Sequence, residues 1–90
     1  MAVLLITCEQ HTPLKDYKPL YDAIKLNSIA WWHYLDHVWI VNTTKTADEY
    51  ARLLYPYITK NDRLFVAKLT GDHQGWLVED AWKWLNNQTY

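Results

Sequence analysis

The sequence predicts an α+β domain in which four strands and two helices alternate as βαββαβ, followed by a C-terminal helix. Three observations carry that prediction. Ala2-Val3-Leu4-Leu5-Ile6 is a short apolar run rich in branched side chains, the signature of a strand covered on both faces. Two stretches, around Leu20 and around Leu53, repeat apolar residues at i, i+3, i+4 and i+7. Between and after them stand three further β-rich runs separated by polar turns.

The first run ends in Thr7-Cys8-Glu9 and is far shorter than the ~20 apolar residues of a membrane span. A polar connection, Gln10 to Lys15, leads to Asp16, placed as an N-cap, with Pro19 in the first turn, where its missing N–H costs nothing. Tyr17, Leu20, Tyr21 and Ile24 then mark the inner stripe of a helix from Tyr17 to Leu26, stopped by Asn27-Ser28. Strands two and three, Ile29–Leu35 and Val38–Thr43, are separated by Asp36-His37 alone, the spacing of a tight hairpin of open turn type. Thr46 and Glu49 form a capping box for the second helix, which Pro56 should end near Tyr55. Arg63 to Thr70 reads as strand four, Gly71 to Gly75 as a mobile loop, and Trp76 to Leu85 as a short third helix laid against the sheet or a partner.

The split βαββαβ order implies a ferredoxin-like sheet, strand order 4-1-3-2, with both long helices on one face. Strand one is then central, as its apolar run requires. The same topology gathers Glu9, His11, Asp36, His37, Asp62 and Arg63 at one end of the sheet.

Ninety residues make a single domain, 1–90, near the lower limit for a self-sufficient core. Six Trp, seven Tyr and one Phe compensate, and their number favours an aromatic-lined interface or ligand surface. Nine basic and ten acidic residues leave a formal charge of −1, without the basic excess of a duplex-DNA binder. A single cysteine excludes an internal disulfide and multi-cysteine zinc sites. No signal peptide or membrane span is evident, so the expected location is the cytoplasm, without a membrane partner.

Leu5-Ile6-Thr7-Cys8-Glu9, the aromatic Trp31-Trp32-His33-Tyr34-Leu35 with Trp39-Ile40-Val41, and Asn61-Asp62-Arg63-Leu64-Phe65-Val66 followed by Leu69-Thr70-Gly71 together resemble the small bacterial and phage proteins labelled "SinR family". The resemblance spans nearly the whole chain. Those proteins in turn look like distant relatives of the small CRISPR adaptation subunit and the virulence-associated D endoribonucleases, which are ferredoxin-like homodimers. In that group an acidic residue ending strand one, usually an Asp after a Tyr, faces its copy across the dimer and is assigned a metal-binding role. Here Cys8-Glu9 stands at that position: the carboxylate is kept one methylene further out, and the Tyr is absent.

The resemblance implies a homodimer in which Glu9 holds Mg²⁺ with its mate, as an endonuclease or endoribonuclease. His11 is a catalytic candidate on its own chemistry, histidine being titratable near neutral pH. One carboxylate without a motif is equally a solvated strand end, so binding with weak or absent catalysis is the preferred expectation. Its ligand is a nucleic acid or a nucleotide, with Asp36, His37, Asp62 and Arg63 as further ligand-binding candidates. Polar turn residues at these positions are also what any hairpin needs. Trp31, Trp32, Tyr34 and Trp39 form a candidate aromatic interface able to stack bases. The basic-glycine-aromatic run of RNA-recognition domains is missing from strand three, so packing in the core or across a dimer accounts for them more simply. A protein-binding module in phage–host conflict (phage defence) is the third reading. Cys8 lacks a signalled partner base and reads as a small buried hydrophobe.

Overall fold

The structure, a computed structural model, describes residues 1–90. Strand β1 (Ala2–Glu9) is followed by helix α1 (Lys18–Leu26), strands β2 (Ala30–Leu35) and β3 (Val38–Thr43), and helix α2 (Ala47–Leu54). A single 3₁₀ turn at Tyr55–Tyr57 leads to strand β4 (Arg63–Lys68), and helix α3 (Glu79–Asn86) closes the chain. The sheet is antiparallel throughout, in the order β2-β3-β1-β4. No helix is long and apolar enough to cross a membrane.

Alternation along β1 divides the molecule into two sides. Leu4, Ile6 and Cys8 point to the side covered by α1 and α2, where they join Leu20, Ala23 and Ile24 of α1, Tyr50 and Leu54 of α2, and Trp39 and Val41 of β3. Val3 points the other way, into a smaller cluster with Trp32, Ile40, Ala81 and Leu85 under α3. The first strand is thus buried on both faces over its N-terminal half, which explains why its sequence does not alternate.

Local chemistry fixes the helix limits. Thr46 Oγ1 accepts from Glu49 N–H (3.1 Å) while Glu49 Oε1 accepts from Thr46 N–H (3.0 Å), completing the capping box. Pro56 turns the chain into the 3₁₀ segment immediately after Leu54. Asp16 is not the N-cap of α1. Tyr17 holds that place, and Asp16 Oδ1 instead accepts from Lys18 N–H at 2.9 Å. Helix α3 begins three residues later than its apolar spacing suggests: Trp76-Leu77-Val78 lies outside the helix, and Val78, with an extended backbone, is its N-cap. Strand β4 ends at Lys68, two residues early.

The Asp36-His37 turn has no positive φ, so it is neither of the primed types that match hairpin twist. The mismatch is absorbed by a bulge. Trp32 pairs with Ile40 and Leu35 with Val38, a slip of one residue on β2. Trp32 and Leu35, which a regular strand would send to opposite faces, therefore both line the α3 side.

Candidate functional site

At the C-terminal end of β1, Glu9 pairs across the ladder with Arg63 of β4, and Thr7 with Phe65. These four share the α3 side, and α3 does not reach them. Phe65 is 64 % exposed, and the five residues Thr7, Glu9, Arg63, Leu64 and Phe65 frame a shallow depression of about 100 Å³. His11 Nε2–H donates to Glu9 Oε2 at 2.8 Å, with the two side chains 55 % and 68 % exposed. The result is a carboxylate–imidazole pair open to water beside a guanidinium and a bare aromatic ring.

Asp62 has a different role from the one its turn-like sequence suggests. Only 5 % exposed, its carboxylate accepts from four donors. They are His11 N–H (2.9 Å), Thr59 N–H (2.9 Å), Tyr17 O–H (2.7 Å) and Thr12 Oγ1–H (3.3 Å). Burial alone pushes its pKa up, but the bonds from Thr59, His11, Tyr17 and Thr12 outweigh it and hold the carboxyl well below the usual carboxylate range. With its acceptor sites filled, Asp62 is a clamp between the loop after β1 and the loop before β4, not a group free to bind a ligand. Its backbone is engaged too: Arg63 Nη1 donates to the Asp62 and Lys60 carbonyls, both at 3.2 Å.

Asp36 and His37 lie on the other flank of the same strand end, both exposed. The His37 carbonyl accepts from Cys8 N–H at 3.2 Å. Their side chains make no hydrogen bond or ion pair with Glu9 or Arg63, and the niche they share with Cys8 and Gln10 measures about 10 Å³, at most one water. The predicted gathering at one end therefore divides into Glu9, His11, Asp62 and Arg63 on one flank and Asp36 and His37 on the other.

The four aromatics do not form one surface, which corrects their grouping as an interface. Trp32 and Trp39 are buried in different cores, and only Trp31 and Tyr34 reach solvent. Trp31 leans on Trp39 on the α1 side (centroids 5.5 Å apart) under the Lys25 ammonium (4.8 Å), whereas Tyr34 packs edge-on to Trp32 on the α3 side (5.3 Å). His33 stacks on Trp39 at 3.9 Å, sealing that end of the first core. The period-2 phase of Trp32 and Trp39 accounts for their burial.

As a metal site, Glu9 stands alone within the chain. No group of three or more His, Cys, Asp and Glu side chains is placed to hold an ion, and the neighbouring carboxylate, Asp62, is fully engaged. Within one chain Glu9 is thus a single available carboxylate, and the second that a paired Mg²⁺ site needs would come from a partner copy. Cys8 is buried, and its thiol pKa is raised by burial first and then by the negative charges of Asp62 and Glu9, which keeps it protonated.

Phe65 is the residue that sequence reading passed over. In Arg63-Leu64-Phe65-Val66, Leu64 and Val66 pack on the first core, so alternation puts Phe65 outside with Arg63. That parity was available from the sequence alone. No protein-family model, curated protein or solved structure matches the chain.

Proposed function

We propose that the chain is a ferredoxin-like, homodimeric binding protein for nucleic acid or a nucleotide, acting by recognition rather than strong catalysis. The observation that carries this reading is Phe65, 64 % exposed beside Arg63 and Glu9 on the part of the sheet face that α3 leaves open. An exposed aromatic two residues from a guanidinium, on a rigid strand, supplies a stacking face and a phosphate donor at fixed separation.

Glu9 and Arg63 are cross-strand neighbours, so a copy related by a two-fold axis that passes between them meets opposite charge. That self-complementarity supports a dimer seam here, with the ligand held along it. The kinship with CRISPR-adaptation-type proteins and D-type ribonucleases belongs to the same proposal and rests on the residue resemblance given above.

The test is fluorescence anisotropy with labelled single- and double-stranded RNA and DNA at low salt, with Mg²⁺ or chelator. Single-stranded probes should bind, and Phe65→Ala and Arg63→Ala should each weaken binding about tenfold, a stacking or charge contact being worth roughly 1–3 kcal/mol. Light scattering should give twice the chain mass. If no probe binds at low salt, the nucleic-acid reading fails and a protein partner for this face takes its place. Mg²⁺-dependent cleavage abolished by Glu9→Ala would replace recognition by a nuclease.

A further inference from the structure

The α3 side carries a second feature that the rim reading does not use. Between the sheet, the Gly71–Leu77 loop and α3 lies a cavity of about 350 Å³, within the usual range for small-molecule sites. Its floor is Leu5, Trp32 and Ile40; its far wall is Leu35, which reaches it only because of the β2 bulge; Trp82 and Leu85 form the α3 wall. Ten of the thirteen lining residues are hydrophobic, and no Lys, Arg, Asp or Glu is among them.

Trp76 stands at the mouth and is 98 % exposed. Such full exposure is unusual for the largest apolar side chain, and it leaves a large stacking surface without a partner. The loop that carries it is lightly tethered. A Cβ added at Gly71 or Gly75 would meet nothing within 4 Å. Its fixed points are Asp72 N–H donating to Thr70 Oγ1 (3.2 Å), His73 Nδ1–H donating to the Thr70 carbonyl (2.7 Å) with its ring stacked on Trp82 (6.4 Å), and the Gln74 side-chain oxygen Oε1 accepting from Gly75 N–H (2.9 Å). His73 Nε2 and Gln74 Nε2 are left without partners at the same wall. Trp32 Nε1–H is already spent on the Ala81 carbonyl at 3.2 Å.

We propose that this cavity receives a neutral, flat, fused-ring compound, with Trp76 folding over it as the closing face. Uncharged, tryptophan-rich walls favour a ring system over an aliphatic chain and reject an ionised one, which would lose its hydration without finding a counter-charge. The volume leaves room for a substituent beyond two fused rings. Gln74 Nε2 and His73 Nε2 then meet polar atoms on the ring edge. The proposal stands whether or not the chain dimerises or binds nucleic acid.

The probe is indole, titrated into ¹⁵N-labelled protein and followed by the six tryptophan Nε1–H signals and the backbone amides. Trp76→Ala identifies its own signal and, because this side chain touches no core, should leave the rest of the spectrum in place. Saturable shifts are expected at Trp82, Gly75 and Leu77, with indole binding at least fivefold weaker in Trp76→Ala. Indole-3-acetate, the same ring bearing a carboxylate, should bind at least tenfold more weakly than indole. The proposal is overturned if indole does not saturate up to its solubility limit or if the shifts lie away from these residues. It is equally overturned if Trp76→Ala binds as well as the parent, or if the carboxylate form binds as tightly as indole.

Discussion

The two sides of the sheet are made from the same strands and have opposite finishes. On the α1/α2 side, ten buried residues from four elements close into one core, and even the polar groups are locked: Tyr50 O–H donates to the Ile24 carbonyl at 2.9 Å and meets Ser28 Oγ at 2.8 Å. On the α3 side, five buried residues suffice for one half of the face, and the other half is left to a cavity, a bare Phe65 and an exposed Trp76. A chain of this size has material for one complete core, and the second side is where surface remains for recognition. The division of labour is set by the parity of β1.

Substitutions can break or sharpen that contrast, and the clamp on the closed side should respond most. Asp62→Ala orphans two backbone N–H groups and the Tyr17 hydroxyl in a buried setting, and should cost at least about 3 kcal/mol by urea unfolding. Asp62→Asn, which keeps the shape and loses the charge, should cost roughly half of that. An exposed-turn cost of a few tenths of a kcal/mol would return Asp62 to the ligand-binding candidates.

Next in size is a matched pair of truncations. Leu54→Ala empties a fully enclosed position in the larger core and should cost about 3–4 kcal/mol; Leu85→Ala, beside an existing cavity, should cost about 2 kcal/mol because less packing is lost. Equal losses would mean that the two sides are equally well packed.

Acid titration sharpens the same point. The folded-state pKa of Asp62 is depressed, so its stabilisation is present above the ordinary value of 3.8 and drains away as pH falls below it. The urea midpoint should hold from pH 7 to about 5 and decline below pH 4, and Asp62→Asn should flatten that acid limb.

The smallest effect belongs to neither side. Leu14 has φ 61° behind Pro13, in a turn closed by Lys15 N–H to the Thr12 carbonyl (3.4 Å), and its side chain is bare. Leu14→Gly should raise stability by up to about 1 kcal/mol, relief of left-handed strain exceeding the entropic cost of glycine. No change, or a loss, would show that the loop gains something from this leucine.

Much of this architecture was legible beforehand. The apolar run of β1, the Thr46–Glu49 box and the two helical stripes specify elements locally, without reference to distant residues, and they locate the Glu9–Arg63 rim. What escaped depends on partners far along the chain. Asp62 in Asn61-Asp62 reads as an ordinary turn, and only the folded positions of His11, Thr12 and Tyr17 make it a clamp. The bulge follows from an unprimed Asp36-His37 turn whose type the sequence left open. Helix α3 starts at Glu79 because Leu77 packs on the α3-side cluster from outside the helix, a tertiary demand that helical spacing cannot announce.

The position of β1 also sets a schedule for synthesis. Its two ladder neighbours are β3, which ends at Thr43, and β4, which ends at Lys68, so the second edge of this sticky stretch stays vacant until some sixty residues more have been made. At roughly 5–20 residues per second, that interval lasts seconds. Throughout it, nascent chains on one messenger hold a common adhesive segment within reach of each other. Production in the cell is therefore expected to depend on chaperone capacity and translation speed more than the small size of the finished domain suggests.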